Sequence, residues 1–299
     1  MRAVVTETVH SFVHHNGTML AAALAFYSLL AFAPFGVFLV AVVGVVYGEK
    51  TARDELGQRL AETVGPSIAA DVTDIVARAS QQGSTAFATF VGFVLFVIAT
   101  SRVFLTVSDG LNHVFGVTAV VHPSLRGVGA DVLKRRLVAL AMVFFCGMVF
   151  LAFVVLRTWI DLAASRWLDV PFVFRAVELG LGWGAIAFVT TVVYRVLPDA
   201  TIAWQDARVG GAVTGALAVI GAVVAGQYVS RVAVESPYGA AGSLFALLLW
   251  VYYCSQIFFF GAEFTAAWTR HRGQGVRPLA HARYELPTDR GSDLPVVDP

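Results

Sequence analysis

Long apolar runs, each close to the length that crosses a bilayer, alternate with short polar segments along the chain. A helix rises about 1.5 Å per residue, so roughly 20 apolar residues span the hydrocarbon core. Continuous apolar runs favour helices, because strands of a membrane barrel alternate apolar and polar positions. The pattern predicts an all-α, polytopic membrane helix bundle with six transmembrane helices, at 19–47, 84–107, 137–157, 176–197, 208–229 and 241–268.

Composition agrees with this prediction. Of 299 residues, 58% are hydrophobic and only 14% are charged, whereas soluble domains carry about 25% charged residues. The net charge of +1 lacks the basic excess of a nucleic-acid-binding surface, so we expect no nucleic-acid partner. Cys146 and Cys254 both fall inside apolar runs and are interpreted as small hydrophobic residues.

The distribution of basic residues predicts the orientation. An even number of spans puts both termini on one side, and the segments on that side carry more Arg and Lys than those opposite. Both termini are therefore expected in the cytoplasm, with the chain in the bacterial inner membrane. The predicted parts are a cytoplasmic N-terminal helix (1–18), a transmembrane domain (19–272) and a disordered cytoplasmic tail (273–299) rich in Pro, Gly and charge.

The predicted outer loop, about residues 48–83, is more than a linker. Apolar residues recur there at steps of three and four between acidic residues, which is the periodicity of an amphipathic helix. Gly65 and Pro66 would divide it into two short helices. We expect these helices to lie on the outer surface of the membrane.

Two spans carry small residues at helical spacing. Gly211, Gly215 and Gly226 lie in the fifth span, and Gly180 and Gly184 lie in the fourth. Helices in lipid associate where small residues allow close backbone approach, so these faces are predicted to pack against other helices. The glycines would serve contacts within one chain or between copies, so the sequence leaves a homo-oligomer open.

Charged residues within the spans predict an internal contact. A charge at the centre of a helix costs about 2.5–3.5 kcal/mol on insertion scales, so such residues face the bundle interior and find partners. Gln256 and Glu263 share one face of the last span. Arg102 and Glu263 both lie about five residues before the inner ends of their spans. Matched depth and opposite sign predict an Arg102–Glu263 ion pair.

Further polar residues accompany this pair. They are Tyr27, Ser28 and Pro34 in the first span, and Asp109 and Asn112 at the inner end of the second. One interpretation is that these groups only hold helices together. A second is that they line a cytoplasm-facing cavity that binds a polar head group or relays a proton. A third has Glu263 simply reaching the interface near the end of its helix.

Four segments carry a family resemblance: "LAFYSLLAFAPF" (24–35), "SRVFLTVSDGLNHVFGV" (101–117), "VYRVLPDATIAWQDARVGG" (193–211) and "YGAAGSLFALLLWVYYCSQIFFFGAEFTAAW" (238–268). Over about residues 10–270 the chain resembles the YihY/BrkB family of bacterial inner-membrane proteins. The resemblance implies an association with virulence and serum resistance. It also implies transport or lipid and envelope handling. An older family label, ribonuclease BN, is widely regarded as mistaken.

The residues themselves also disfavour an enzyme. His10 and His14 lie four apart and could supply two metal ligands, but we expect no third ligand to complete such a site, and there is no P-loop. We therefore expect no metal, no cofactor and no ribonuclease activity. The first hypothesis is a transporter or lipid-translocating protein whose partners are membrane lipids or an amphipathic small molecule. The alternatives are a non-catalytic scaffold for envelope integrity and, more weakly, a membrane enzyme acting on lipid.

Overall fold

Helices dominate the computed structural model of the chain, which describes residues 1–31, 58, 86–119, 125–167, 171–232, 239–273, 275–279 and 282–284. The helices are α1 (Arg2–His14), α2 (Gly17–Ala31), α3 (Ala86–Val114), α4 (Leu125–Trp167), α5 (Pro171–Val196), α6 (Trp204–Val232) and α7 (Gly239–His271).

The predicted spans are helical wherever they are described, except at Leu197, which follows the end of α5. Among the described residues, four helical segments are long and apolar enough to cross a membrane: Lys134–Ile160, Ala176–Val196, Trp204–Val223 and Leu247–His271. They correspond to the third to sixth predicted spans. The first two spans rest partly on residues outside the described ranges, so a multi-span helical protein is supported and the number six is not confirmed. Pro34 and the predicted outer helices of 48–83, apart from Gln58, also lie outside those ranges.

A sharp corner separates α1 from α2. Asn16 has a φ of 50°, a left-handed conformation that asparagine tolerates better than most residues. Its carbonyl accepts hydrogen bonds from the Met19 and Leu20 amides, at 2.8 and 3.2 Å, and so starts α2. The N-terminal helix predicted at 1–18 is therefore present but ends at His14, and His15 occupies the corner.

Close packing of α5, α6 and α7 forms the interior. A Cβ added at Gly211 would overlap Thr191, and one at Gly215 would lie 3.0 Å from the Trp183 carbonyl, so the prediction that these two glycines pack is confirmed. A Cβ at Gly210 would overlap Thr265, and one at Gly261 would overlap Thr214. Both additional glycines therefore set the distance between α6 and α7.

The packing of Gly180 and Gly184 in the fourth span stays a prediction. Within the described part of the chain, a Cβ at either glycine would meet nothing within 4 Å. Close approach requires a partner on the same face of the helix, which spacing alone does not supply. The surroundings of Gly226 lie outside the part of the chain whose side chains are described.

The amphipathic helix α1 lies against the last turns of α7. Val4 is buried with Phe264 and Ala267, and the rings of Phe12 and Phe260 meet edge to face with centroids 5.7 Å apart. This apolar contact fixes the corner at His15 beside α7.

Short strands connect the C-terminal segment to the helix ends. They are β1 (Val117–Ala119), β2 (Ala200–Thr201), β3 (Arg277–Pro278) and β4 (Ala282–Tyr284). β1 pairs antiparallel with β4, and β2 pairs antiparallel with β3. The fold is therefore not purely α-helical.

The tail predicted as disordered from residue 273 is ordered through these strands, while residues 285–299 lie outside the described ranges. The strands form because the connections after α3 and α5 present unpaired backbone groups that the tail satisfies. The pairing also places the two ends of the described chain at the same end of the bundle.

Candidate functional site

Polar side chains concentrate where the helix ends meet. This region, called the polar end below, comprises the α1–α2 corner, the ends of α3, α5 and α7, the starts of α4 and α6, and the four strands. Two interactions within it are centred on the buried carboxylates of Asp199 and Glu263, and a third consists of ion pairs near the end of α7. The predicted residues Asp109, Asn112 and Glu263 all lie in this region.

Asp199, in the connection between α5 and α6, is the centre of the first interaction. Its Oδ2 accepts hydrogen bonds from Asn112 Nδ2 at 2.9 Å and from an Arg135 guanidinium nitrogen at 2.6 Å. Its backbone N–H donates to Asn112 Oδ1 at 2.7 Å. Asn112 thus donates one hydrogen bond to Asp199 and accepts another from it. The group ties the α5–α6 connection to α3 and α4.

Asp109 takes a marginal part in this group. Its Oδ1 lies 3.5 Å from Arg135 Nη1, and its side chain is 68% exposed. An ion pair so exposed to water contributes little to stability. Asp109 therefore lies at the rim of the Asp199 group rather than in the interior.

Glu263 is the centre of the second interaction and is fully buried. Its Oε1 lies 2.6 Å from His15 Nδ1, and its Oε2 has no hydrogen-bond partner in the described part of the chain. The predicted Arg102–Glu263 ion pair was wrong, because the carboxylate faces α1 and its corner. His15 is the partner that sequence reasoning missed.

A row of histidine rings continues from this pair. Ring centroids are 5.4 Å apart for His15 and His113, 5.5 Å for His14 and His15, and 6.3 Å for His10 and His14. These four residues are called the histidine row below. Helical spacing identified only His10 and His14, because His15 joins through the corner and His113 through α3. Among the described residues no group of three ligands could hold a metal ion.

Arg102, on α3, makes none of these hydrogen bonds or ion pairs, although it is near enough for its charge to act on Asp109. Its guanidinium carbon is 5.8 Å from the centroid of the Tyr27 ring, a cation–π arrangement. The side chain is exposed, and no carboxylate of the described residues lies within ion-pair distance of it. Tyr27 in turn meets the Phe26 ring edge to face, with centroids 5.7 Å apart.

Phe26 also lines an open groove between α2 and α7, with a volume of about 290 Å³. Its surface is almost entirely apolar, since it is lined by Ala22, Ala25, Phe26, Phe245, Leu248, Leu249 and Tyr252. The contacts from Arg102 to Tyr27 and from Tyr27 to Phe26 connect a positive charge to this apolar groove.

The predicted residues thus separate into different places. Arg102 and Tyr27 meet near the groove, whereas Glu263 is sealed against α1. Ser28 and Gln256 are half-buried and belong to neither of the two buried interactions. A single polar cavity uniting Arg102 with Glu263 is therefore not formed by the described residues.

Ion pairs near the end of α7 form the third interaction, which the sequence did not reveal. Glu7 of α1 accepts from Arg270 at 2.8 Å and lies 3.1 Å from His271. Arg272 donates to the buried Asp206 at 3.1 Å. The available signal was an acidic residue in the first turn of α6 opposite basic residues in the last turn of α7, a distribution that helix dipoles favour.

Comparison with known proteins gives one family. The model for "Virulence factor BrkB" matches residues 8–285 and so includes the four segments on which the resemblance rests. A UPF0761 membrane protein of Rhodospirillum centenum is 28% identical over 269 residues, covering 88% of this chain and 56% of the relative. One from Delftia acidovorans is 27% identical over 262 residues, covering 82% and 57%.

The chain therefore spans little more than half the length of these curated relatives. No solved structure gives a significant match.

Proposed function

The chain belongs to the BrkB family of membrane proteins, and we propose that it is a transporter or lipid-translocating protein for an anionic amphipathic molecule. In this proposal the polar end faces the cytoplasm. Arg102 receives the anionic head group, and the groove between α2 and α7 receives an acyl chain. The role requires no catalytic group, and ribonuclease activity stays disfavoured.

The state of Arg102 is the observation that carries the proposal. The residue lies about five positions inside the inner end of its predicted span, within about 10 Å of the boundary. A guanidinium at that depth is expected to find a partner, and here the protein supplies the face of Tyr27. The ring leaves the hydrogen-bonding edge of the guanidinium available. Arginine binds phosphate and carboxylate groups through that edge in two-point contacts.

The neighbouring groove supports a lipid rather than a small inorganic anion. It begins at Phe26, whose ring touches Tyr27. A small polar molecule would make few favourable contacts with the apolar walls of the groove, whereas an acyl chain would pack against them. A molecule with one anionic group and one hydrocarbon chain satisfies both neighbouring features.

Other arginine residues, at the polar end, hold structural elements together. Arg135 bonds to Asp199, and Arg272 bonds to Asp206. Each of these arginines joins two elements through a carboxylate. Arg102 does not follow that pattern, which favours a role in binding.

A non-catalytic scaffold is the second candidate, and the extent of fastening at the polar end favours it. The C-terminal strands, the Asp199 group and the Glu7 pairs all hold helix ends together. In a scaffold, Arg102 would only extend its charge toward the membrane surface, as long basic side chains do.

The test measures which lipids remain with the purified chain. Wild-type protein and Arg102→Gln would be purified from mixed phosphatidylcholine and phosphatidylglycerol vesicles, and the retained lipids quantified by mass spectrometry. We expect phosphatidylglycerol to be enriched in the wild type. In the variant its affinity should fall about tenfold, which corresponds to roughly 1.4 kcal/mol. Movement of a fluorescent phosphatidylglycerol across reconstituted vesicles should slow in parallel.

Arg195→Gln provides a matched control, because Arg195 stacks on Trp204 with a similar 5.9 Å separation but lies away from the groove. It should keep the wild-type enrichment and movement. Equal lipid content in the wild type and both variants, with no lipid movement, would support the scaffold and contradict the proposal.

A further inference from the structure

Glu263 and His15 form an unequal buried pair. The Glu263 side chain has no exposed surface, whereas the His15 side chain is 12% exposed. Oε1 of the carboxylate is engaged by His15, while Oε2 has no hydrogen-bond partner in the described part of the chain. Burying a carboxylate costs free energy unless its charge is compensated. A positive charge beside Glu263 would therefore be stabilising, and the partly exposed His15 can receive a proton from solvent.

The positions of the protons follow from the charge assigned to Glu263. With Glu263 ionised, the carboxylate only accepts hydrogen bonds, and the 2.6 Å contact then places a hydrogen on Nδ1 of His15. In neutral histidine the other nitrogen, Nε2, is then unprotonated and can take up a proton. Histidine changes its charge between about pH 5 and 8 in ordinary surroundings.

We propose that His15 and Glu263 form a proton-binding site that strengthens the attachment of the α1–α2 corner to α7. A proton from solvent binds at Nε2 of His15, and the neutral hydrogen bond to Glu263 becomes an ion pair. No bond other than the new N–H forms, and the carboxylate keeps its charge. This inference is independent of the molecule that the protein handles in the membrane.

Other titratable groups near the pair set the sign of the effect. His14 from α1 and His113 from α3 face the His15 ring, and their protonation would oppose that of His15 by repulsion. Along the same α1–α7 interface, Glu7 faces Arg270 and His271 in an exposed position. Glu263 is in direct contact with His15, so its attraction should exceed the repulsion. Attachment should be strongest at mildly acidic pH and weaken as His15 loses its proton at higher pH.

The test is a pH titration of ¹⁵N-labelled histidine in the full chain by NMR, with His15→Gln used to assign the His15 signals. In the wild type we expect His15 to titrate, with hydrogen on Nδ1 in its neutral form. In Glu263→Gln the proton affinity of His15 should fall at least about tenfold, a shift of one pH unit. Hydrogen exchange of residues 1–16, corrected for its intrinsic pH dependence, should become faster with rising pH only in the wild type.

Glu7→Gln is the control, because it removes the exposed carboxylate on the same interface. His15 should titrate there as in the wild type. An unchanged His15 titration in folded Glu263→Gln would overturn the proposal. If that variant does not fold, the wild type alone decides: hydrogen on Nε2 in the neutral ring, or no titration of His15, would also overturn it.

Discussion

Arg102 and Glu263 have opposite charges and similar positions relative to the ends of their helices, yet their surroundings differ. Glu263 is fully buried against His15, whereas Arg102 is exposed over the Tyr27 ring. Because both residues lie at a similar distance from the ends of their helices, depth does not explain the difference. The helix face on which each lies separates them, because α7 has α1 against it at Glu263 and α3 meets α2 at Arg102.

In the two proposals made above, this difference separates two functions. A sealed carboxylate with a titratable partner is suited to binding a proton, while an accessible guanidinium next to an apolar groove is suited to an anionic lipid. The two charges would have cancelled each other in the predicted ion pair. Their separation leaves each available for its own interaction.

Removing the Glu263 carboxylate should have the largest effect. Glu263→Ala leaves a cavity and removes the carboxylate partner of the partly buried His15, so the free energy of unfolding should fall by about 3–5 kcal/mol. Denaturant or thermal unfolding in detergent measures this change. A loss as small as that for the exposed Glu7→Ala, below about 1 kcal/mol, would show that Glu263 is not sealed.

A second change tests the close contact between α6 and α7. Gly261→Ala places a Cβ against Thr214 and 2.9 Å from the Tyr194 hydroxyl, which should force α6 and α7 apart and cost about 1–3 kcal/mol. The same unfolding measurement applies. Gly180→Ala is the matched control, since its Cβ meets nothing within 4 Å, and it should be neutral or slightly stabilising. Equal effects of the two changes would contradict the packing described.

Double-mutant cycles test whether His15 or Arg102 is the partner of Glu263. His15→Gln and Glu263→Gln should show a coupling of about 0.5–3 kcal/mol, because the residues are in contact. Arg102→Gln and Glu263→Gln should be additive within about 0.5 kcal/mol. Unfolding free energies of the single and double variants provide both values. Strong coupling between Arg102 and Glu263 would restore the ion pair that the sequence suggested.

The smallest expected change in stability is that of Arg102→Gln. An exposed cation–π contact contributes about 0.5–1 kcal/mol, so the variant should unfold nearly as the wild type does. Thermal unfolding in detergent checks this result beside the lipid measurements. A loss of several kcal/mol would mean that Arg102 is a structural fastener, and the lipid proposal would then lose its main support.

The candidate site was only partly predictable. Asn112 and Asp109 lie near the C-terminal end of α3, but Asp199 and Arg135, with which they interact, come from distant parts of the sequence. Gly211 and Gly215 of α6 were identified from their spacing, whereas Gly210, which lies against Thr265, was not. For Gly180 and Gly184 no such neighbour lies among the described residues, and spacing does not reveal which side of a helix has one.

The C-terminal tail is a second case in which the sequence did not reveal a contact, here between backbone groups. Its Pro, Gly and charged residues indicated disorder, because they cannot form a hydrophobic core. The structure instead pairs β3 and β4 with strands after α5 and α3. Backbone hydrogen bonds depend little on side-chain composition, so composition did not reveal this pairing.

The sequence by itself determined that this is a helical membrane protein of the BrkB family, because apolar run length and local motifs are properties of neighbouring residues. Only the tertiary structure decided that Glu263 meets His15 and that Arg102 stays accessible. The physical reason is that the strength of an interaction between charged groups depends on their distance and on their burial. Both follow from how Asn16 turns the chain and how α1 packs on α7.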